Sequence, residues 1–121
     1  MVGLVPFYQF RIQVGGMFDV GKLNFRVGGT EHVRLYVGHI GYEVLEPFRG
    51  HGYAEQACRA AAPLVRLIYR SVIITSDPDN YASLSTIERL GAVFLEEVSV
   101  PPRDSQYLAG SRRKRRYRWT P

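Results

Sequence analysis

The sequence predicts an α/β chain of the α+β kind, with a mixed, centrally antiparallel sheet and one β-α-β unit. Three observations lead there. Near the N-terminus, successive segments alternate apolar and polar residues and stop at glycine pairs; from Tyr53 the period becomes helical; and a short continuous apolar strand, Val72-Ile73-Ile74, follows that helix. A strand reached through a helical crossover pairs parallel with the strand before it.

Residues 5–14 (VPFYQFRIQV) set Phe7, Gln9 and Arg11 against Tyr8, Phe10 and Ile12, the period of a strand with one buried face, and Gly15-Gly16 ends it. Residues 21–27 repeat the alternation, with Leu23, Phe25 and Val27 on one side and a turn at Gly28-Gly29. A third strand is expected over residues 33–45, with a bulge near Gly38 or Gly41 and a stop at Pro47. Together they form an antiparallel meander. Ala54, Ala57, Cys58, Ala61, Leu64, Val65 and Ile68 then recur at helical spacing, opposite Glu55, Arg59, Arg66 and Arg70. Pro63 lies inside that pattern and removes one N–H, which predicts a kink or a break. After strand 72–75, Asn80 is a ready N-cap for a short helix with Leu84, Ile87 and Leu90 facing inward, ended by Gly91. Residues 93–100 are a further strand, 101–110 a polar loop opened by Pro101-Pro102, and 112–119 a closing strand.

The 121 residues, 45% of them apolar, suffice for one core and therefore one domain spanning 1–121. No apolar run approaches the roughly 18 residues of a membrane span, and no basic region precedes an apolar stretch at the N-terminus, so no membrane association and a cytoplasmic location are expected. The one cysteine, Cys58, falls on the apolar helix face, where a core role fits better than a nucleophile. No metal is expected. The net charge is +5, yet residues 112–118 alone carry six positive charges, leaving −1 for the rest. The basicity is local, so any attraction for nucleic acid would come from that patch.

Between the third strand and the first helix lies RGHGYA, residues 49–54. Two glycines at a strand-to-helix turn let the backbone approach a ligand closely, and the first free N–H groups of the helix add the positive end of its dipole. An anion, phosphate above all, suits that turn. The chain lacks G-x-x-x-x-G-K-[ST], and RGHGYA lacks the third glycine of a dinucleotide fingerprint.

Arg49-Gly50-His51-Gly52-Tyr53-Ala54 instead resembles the Gln/Arg-x-x-Gly-x-Gly/Ala turn of the GNAT superfamily of N-acetyltransferases. One helix and one strand later, Asn80, Ser83, Leu90 and Gly91 resemble the next signature of that superfamily, with Ala92 in place of its aromatic residue. The resemblance covers roughly residues 20–100 and extends to the terminal KRRYRW. It implies an acyl-CoA N-acyltransferase-like fold and a reaction in which an amine attacks the thioester of acetyl-CoA.

By the family pattern, backbone amides of Arg49, Gly50, His51, Gly52, Tyr53 and Ala54 hold the pyrophosphate. The strand backbone from Tyr42 through Val44 to Leu45 pairs with the pantetheine arm, Asn80 and Ser83 contact it, and the backbone N–H near Val44 serves the oxyanion. An alkylammonium has a pKa near ~10 and must lose a proton before attack. Tyr36, His39 and Glu43 are the candidate bases; alternation places His39 on the face opposite Tyr36, Tyr42 and Val44, while Glu46 and His51 lie near the turn. Many members carry a tyrosine seven residues after the Asn to protonate the leaving thiolate. Here that position is Ile87, and Tyr81 or Ser83 would have to stand in.

The superfamily usually opens with a strand and two helices ahead of the meander, and none is visible before residue 5. The chain is then a minimal member, or a partner supplies the piece, or Met1 is not the native start. A sheet edge at residues 5–14 would be uncovered, and a homodimer is expected to cover it. The leading expectation is an acetyl-CoA-dependent N-acetyltransferase acting on an amine of a small metabolite or a protein N-terminus. One alternative is a non-catalytic acyl-CoA-binding or sensing domain. A second is a nucleic-acid-binding module using the basic segment, which is less favoured because Tyr117 and Trp119 make that segment a closing strand.

Overall fold

In the computed structural model, which describes residues 5–121, alternation in the N-terminal half becomes β1 (Phe7–Val14), β2 (Phe18–Arg26) and β3 (Ile40–Val44). The helical period becomes α1 (Tyr53–Ile68), followed by β4 (Val72–Ser76), α2 (Tyr81–Arg89), β5 (Val93–Ser99), the single-turn α3 (Ser105–Leu108) and β6 (Arg113–Trp119). Residues 1–4 of the expected domain lie outside the described residues. The six strands form one sheet in the order β1-β2-β3-β4-β6-β5. Every neighbouring pair is antiparallel except β3 and β4, as the crossover through α1 requires.

One face of the sheet carries the core. Leu23, Phe25, Ile40, Val72, Ile74, Tyr117 and Trp119 pack against Cys58, Ala62 and Val65 of α1 and Ile87 and Leu90 around α2. Parity sends the intervening side chains, among them Asn24, Arg26, Glu43 and Thr75, to the opposite face. That face is walled by a wide turn, residues 32–37, and by the loop containing α3. Thr75 Oγ1 donates to Tyr36 O at 2.9 Å and Arg116 Nε to Arg34 O at 2.8 Å. His32 Nδ1 meets Asp104 Oδ2 at 2.7 Å and Arg103 pairs with Glu31, which ties turn to loop.

Three expectations are corrected. The segment 33–45 is not one strand: residues 32–37 coil into a turn closed by the Gly38 amide on Val33 O, and only Ile40–Val44 is extended. The chain leaves this turn through Gly38 at φ +76°, where a Cβ would sit 2.9 Å from Ile73 O, so glycine there serves both the conformation and the approach of β4. The buried face expected for β1 is mostly uncovered; Ile12 is buried, but Tyr8 and Phe10 are exposed. Finally, α1 is not broken at Pro63. The ring sits on the exposed side of the helix, where water can meet the carbonyl of Arg59 that lost its donor. The loop expected over 101–110 contains α3, whose N-cap Asp104 accepts from the Gln106 amide at 2.9 Å.

The closing basic strand is built as expected of a strand, with Tyr117 and Trp119 in the core. Four of its five cations pair with carboxylates: Arg113 and Arg115 with Glu97, Arg116 with Glu96, and Lys114 with Asp77. Arg115 also lies over the Phe94 ring, 4.2 Å from its centroid. These charges are spent within the sheet, which weakens the case for a phosphate-binding patch.

Candidate active site

The site is organised by a splay. β3 and β4 are joined at one residue pair, Ile40 with Ile74, and separate beyond it. On its other side β3 is fully paired with β2, from Phe25–Ile40 to Gly21–Val44, and the Leu45 amide donates to Val20 O at 2.8 Å. Backbone groups alternate along a strand, so those of Tyr42 and Val44 point toward the gap. Leu45 is thereby turned to β2; its amide is used, and of the three residues expected to pair with a ligand it is the one directed away. Val44 O already accepts from Arg49 Nε at 2.7 Å, which folds the Arg49 guanidinium along the free strand edge.

At the mouth of the gap stands the glycine turn. Gly50 (φ +86°) and Gly52 (φ +75°) take conformations that L side chains rarely adopt. A Cβ on Gly50 would meet nothing within 4 Å, and on Gly52 only Gln56 Nε2 at 3.7 Å, so the glycines are needed for backbone shape and leave open space beside it. Among the described residues no partner takes the backbone N–H groups from Gly50 to Ala54. They are the free donors of a helix N-terminus. Tyr42, Val44, Phe48, Arg49, Asn80 and Arg89 line the cleft of about 360 Å³ that opens there. Gly50, Gly52, Tyr53, Ala54 and Ser83 also border it; His51 does not, being exposed and tilted onto the Tyr53 ring.

A second cavity, of about 300 Å³, lies on the opposite face beneath the 32–37 turn and α3. The two share Tyr42, Glu43, Asn80 and Ser83 and therefore meet at the splay. Asn80 caps α2, accepting from the Ser83 amide at 3.2 Å. Tyr42 donates its hydroxyl to Ser83 O at 3.2 Å, with Ser83 Oγ at 3.0 Å. Burial pushes the Tyr42 phenol up to about 12, with the Ser83 hydrogen bond opposing it, so it holds its proton at neutral pH.

The expected catalytic residues separate. Glu43 borders both cavities and pairs with Lys22 at 3.9 Å. His39 is not available as a base: it is buried, its Nδ1 accepts from the Ile73 amide at 2.9 Å and its Nε2 donates to Gly28 O at 3.1 Å. Desolvation lowers its pKa below the ordinary imidazole value, the Gly28 bond opposing and Arg26 adding to the effect. Tyr81 opens α2 next to the cleft but is 77% exposed and borders neither cavity, so it does not replace the tyrosine missing at Ile87, itself fully buried in the core. Tyr36 is buried against Glu31, 3.3 Å from its hydroxyl, with its pKa raised by burial and that carboxylate. Cys58 is buried, its thiol pushed up to about 12 by desolvation, as a core cysteine. Sequence reasoning missed Arg89 in the first cleft and Asn24 and Arg26 in the second. Parity on β2, opposite Leu23 and Phe25, was the signal for the latter two.

An acetyltransferase (GNAT) domain model matches residues 6–93. No curated protein sequence matches the chain. Among solved structures, an acetyltransferase from Agrobacterium tumefaciens str. C58 superposes with a TM-score of 0.68 at 20% identity, over 93% of this chain and 60% of that one. The microcin C7 self-immunity acetyltransferase MccE, in complex with acetyl-CoA and AMP, gives 0.60 at 19% identity, over 85% of this chain and 55% of its own. A probable acetyltransferase gives 0.59 at 19% identity, over 84% and 55%. The chain thus spans little more than half the length of these neighbours, and at such identities they speak for the fold. The family match covers the meander, the glycine turn, α1 and the Asn80 signature, the parts that build the splay. The chain belongs to the GNAT acetyltransferase family.

Proposed function

We propose that this chain is an acetyl-CoA-dependent N-acetyltransferase, with the coenzyme in the cleft at the glycine turn and an amine acceptor in the cavity across the splay. The observation that carries the reading is the conjunction at one end of the cleft: free amides from Gly50 to Ala54, and the edge of β3 at Tyr42 and Val44 that no strand pairs, where only Val44 O is taken, by Arg49 Nε. The residues fit such a guest: the turn offers donors and open space to a pyrophosphate, Arg49 and Arg89 border it with positive charge, and the strand edge offers amide groups to an extended arm. Acetyl-CoA, when bound, supplies an activated thioester.

This chain's own residues do the rest. Glu43 borders both cavities and is the base that takes the amine proton, directly or through water. The Val44 N–H, aimed into the gap, is the donor for negative charge developing on a carbonyl oxygen. The Ser83 hydroxyl, backed by the protonated Tyr42, holds the proton for the departing sulfur in place of the tyrosine that Ile87 replaces. The non-catalytic alternative draws on the same two observations, buried Ile87 and exposed Tyr81. A second copy covering the β1 edge and a cytoplasmic location belong to this reading as well; among the described residues no helix is long and apolar enough to cross a membrane. Thiol release from acetyl-CoA tests the reading. Release that requires an added amine and falls about 100-fold or more in Glu43→Gln supports it; coenzyme binding with no release for any amine favours the non-catalytic domain.

A further inference from the structure

The second cavity contains an uncompensated cation. Its charged lining comprises Lys22, Arg26, Glu43, Asp77 and Lys114. Lys22 pairs with Glu43 at 3.9 Å and Lys114 with Asp77 at 2.7 Å, while Ser111 Oγ donates to the same Asp77 oxygen at 2.7 Å. Burial by itself would raise Asp77, but these bonds outweigh it and hold its carboxyl below the ordinary value. Arg26 is left over. Its guanidinium makes one long hydrogen bond, Nη1 to Gly38 O at 3.3 Å, and among the described residues it has no carboxylate.

The setting of Arg26 is specific. Its Nη1/Nη2 end points at Gly41 of β3, where a Cβ would come within 2.9 Å of Nη1, 3.1 Å of Nη2 and 3.5 Å of Cζ. Glycine at 41 makes the berth, and the berth holds the fork two residues along the strand from Glu43. Beside it, Asn24 Oδ1 is buried with no hydrogen-bond partner. Desolvation lowers the Arg26 pKa, the direction expected of a cation held without a counter-ion. A guanidinium with four unused N–H donors and a lone amide oxygen are each costly to leave unmatched in a half-buried site.

We propose that Arg26 anchors a carboxylate on the acceptor, so that the amine acetylated belongs to a small amino acid. The inference rests on the acetyltransferase reading for the fate of the amine, but not for the pocket. One unpaired cation matches one monoanionic carboxylate better than a dianionic phosphate, and the planar fork suits it in a bidentate pair. A cavity of about 300 Å³ holds a small molecule. With its carboxylate on the Nε–Nη2 edge of the Arg26 fork, a short amino acid directs its amine along β3 toward Glu43 and the splay; two strand residues span about 6.6 Å.

The test titrates the full chain, labelled with nitrogen-15, with β-alanine, its primary amide, propylamine and O-phosphoethanolamine, while following the backbone amide resonances of Glu43 and Thr75, which line the cavity. The expected result is a saturable shift with β-alanine, at least about tenfold tighter than with the amide or propylamine, lost in Arg26→Gln and weakened in Gly41→Ala. Arg26→Lys, which keeps the charge without the fork, checks that the loss is not misfolding and should retain part of the preference. Equal affinity for acid and amide, tighter binding of the phosphate compound, or an unchanged preference in Arg26→Gln would each overturn the proposal. Parallel thiol-release assays separate the two claims. A carboxylate preference in binding with no turnover upholds the pocket and removes the catalytic reading; turnover of all amines without that preference does the reverse.

Discussion

Both ring nitrogens of His39 are committed to the main chain, one bridging to β4 through the Ile73 amide and the other to Gly28 O. The imidazole fills a gap where β3 starts and β4 passes, beside Tyr69 at 4.9 Å between ring centroids. Its role is to join strands. Because its folded pKa lies below the ordinary value near 6.5, the unfolded chain takes up a proton at a pH where the folded chain does not. The stability that neutral His39 contributes is complete above about pH 6.5 and declines as pH falls below it. Denaturant midpoints for wild type and His39→Gln at pH 7.5 and 5.5 check this. The variant should lose about 1–3 kcal/mol at pH 7.5 and lose less on acidification than wild type; identical acid losses would contradict the assignment. His39 was picked out in the sequence by its intrinsic pKa, and nothing local announced that Ile73, far along the chain, would claim its lone pair. Gly50, Gly52 and Asn80 were legible because their work is local: two left-handed turns and a helix cap, each decided within a few residues.

At the scale of elements, patterning succeeded where one face of a strand or helix meets the core. Leu23 and Phe25 of β2 and Cys58 and Val65 of α1 are fully buried, and their periods gave both elements. The 32–37 turn defeated the same reasoning. Its Val33 and Tyr36 are buried, a pattern that in sequence reads as the start of β3. The four-residue α3 is too short to show a period at all, and only Asp104 as a cap marks it. Pro63 overstated the damage to α1, because a proline on the solvent side of a well-packed helix costs stability without ending it. Proline is worth roughly 3 kcal/mol less than alanine in a helix interior, partly offset by its stiffening of the unfolded chain. Pro63→Ala is therefore expected to stabilise the chain by about 1–3 kcal/mol in chemical denaturation, with coenzyme affinity unchanged. A destabilised variant would mean that the ring has a packing role which its exposure does not reveal.

On the scale of the whole molecule, the sheet has a covered middle and, among the described residues, two open edges. β1 presents Phe7, Tyr8 and Phe10 to solvent beside an apolar hollow of about 650 Å³ against α1, bordered by Ile12, Leu23, Ala57 and Leu64. An uncovered strand edge with apolar side chains favours pairing with a second copy. Sedimentation at micromolar concentration is expected to give a dimer that Phe10→Lys converts to monomer; monomer alone for the wild type would contradict it. The family, the β-α-β unit and the glycine turn were visible in the sequence because they depend on contiguous motifs. The second cavity was not, since Asn24, Arg26, Glu43 and Lys114 converge only when β2, β3 and β6 share a sheet. What the molecule offers, taken together, is one gap between two strands with a cavity at each side. Calorimetric titration of wild type and Gly52→Val with acetyl-CoA tests whether the gap takes the coenzyme at the glycine turn. Valine cannot readily adopt φ +75° and would also fill the open space beside the amides. The account predicts micromolar binding to the wild type and at least about a tenfold loss in a Gly52→Val chain that remains folded. Equal affinity in the two, or no binding by the folded wild type, would contradict it.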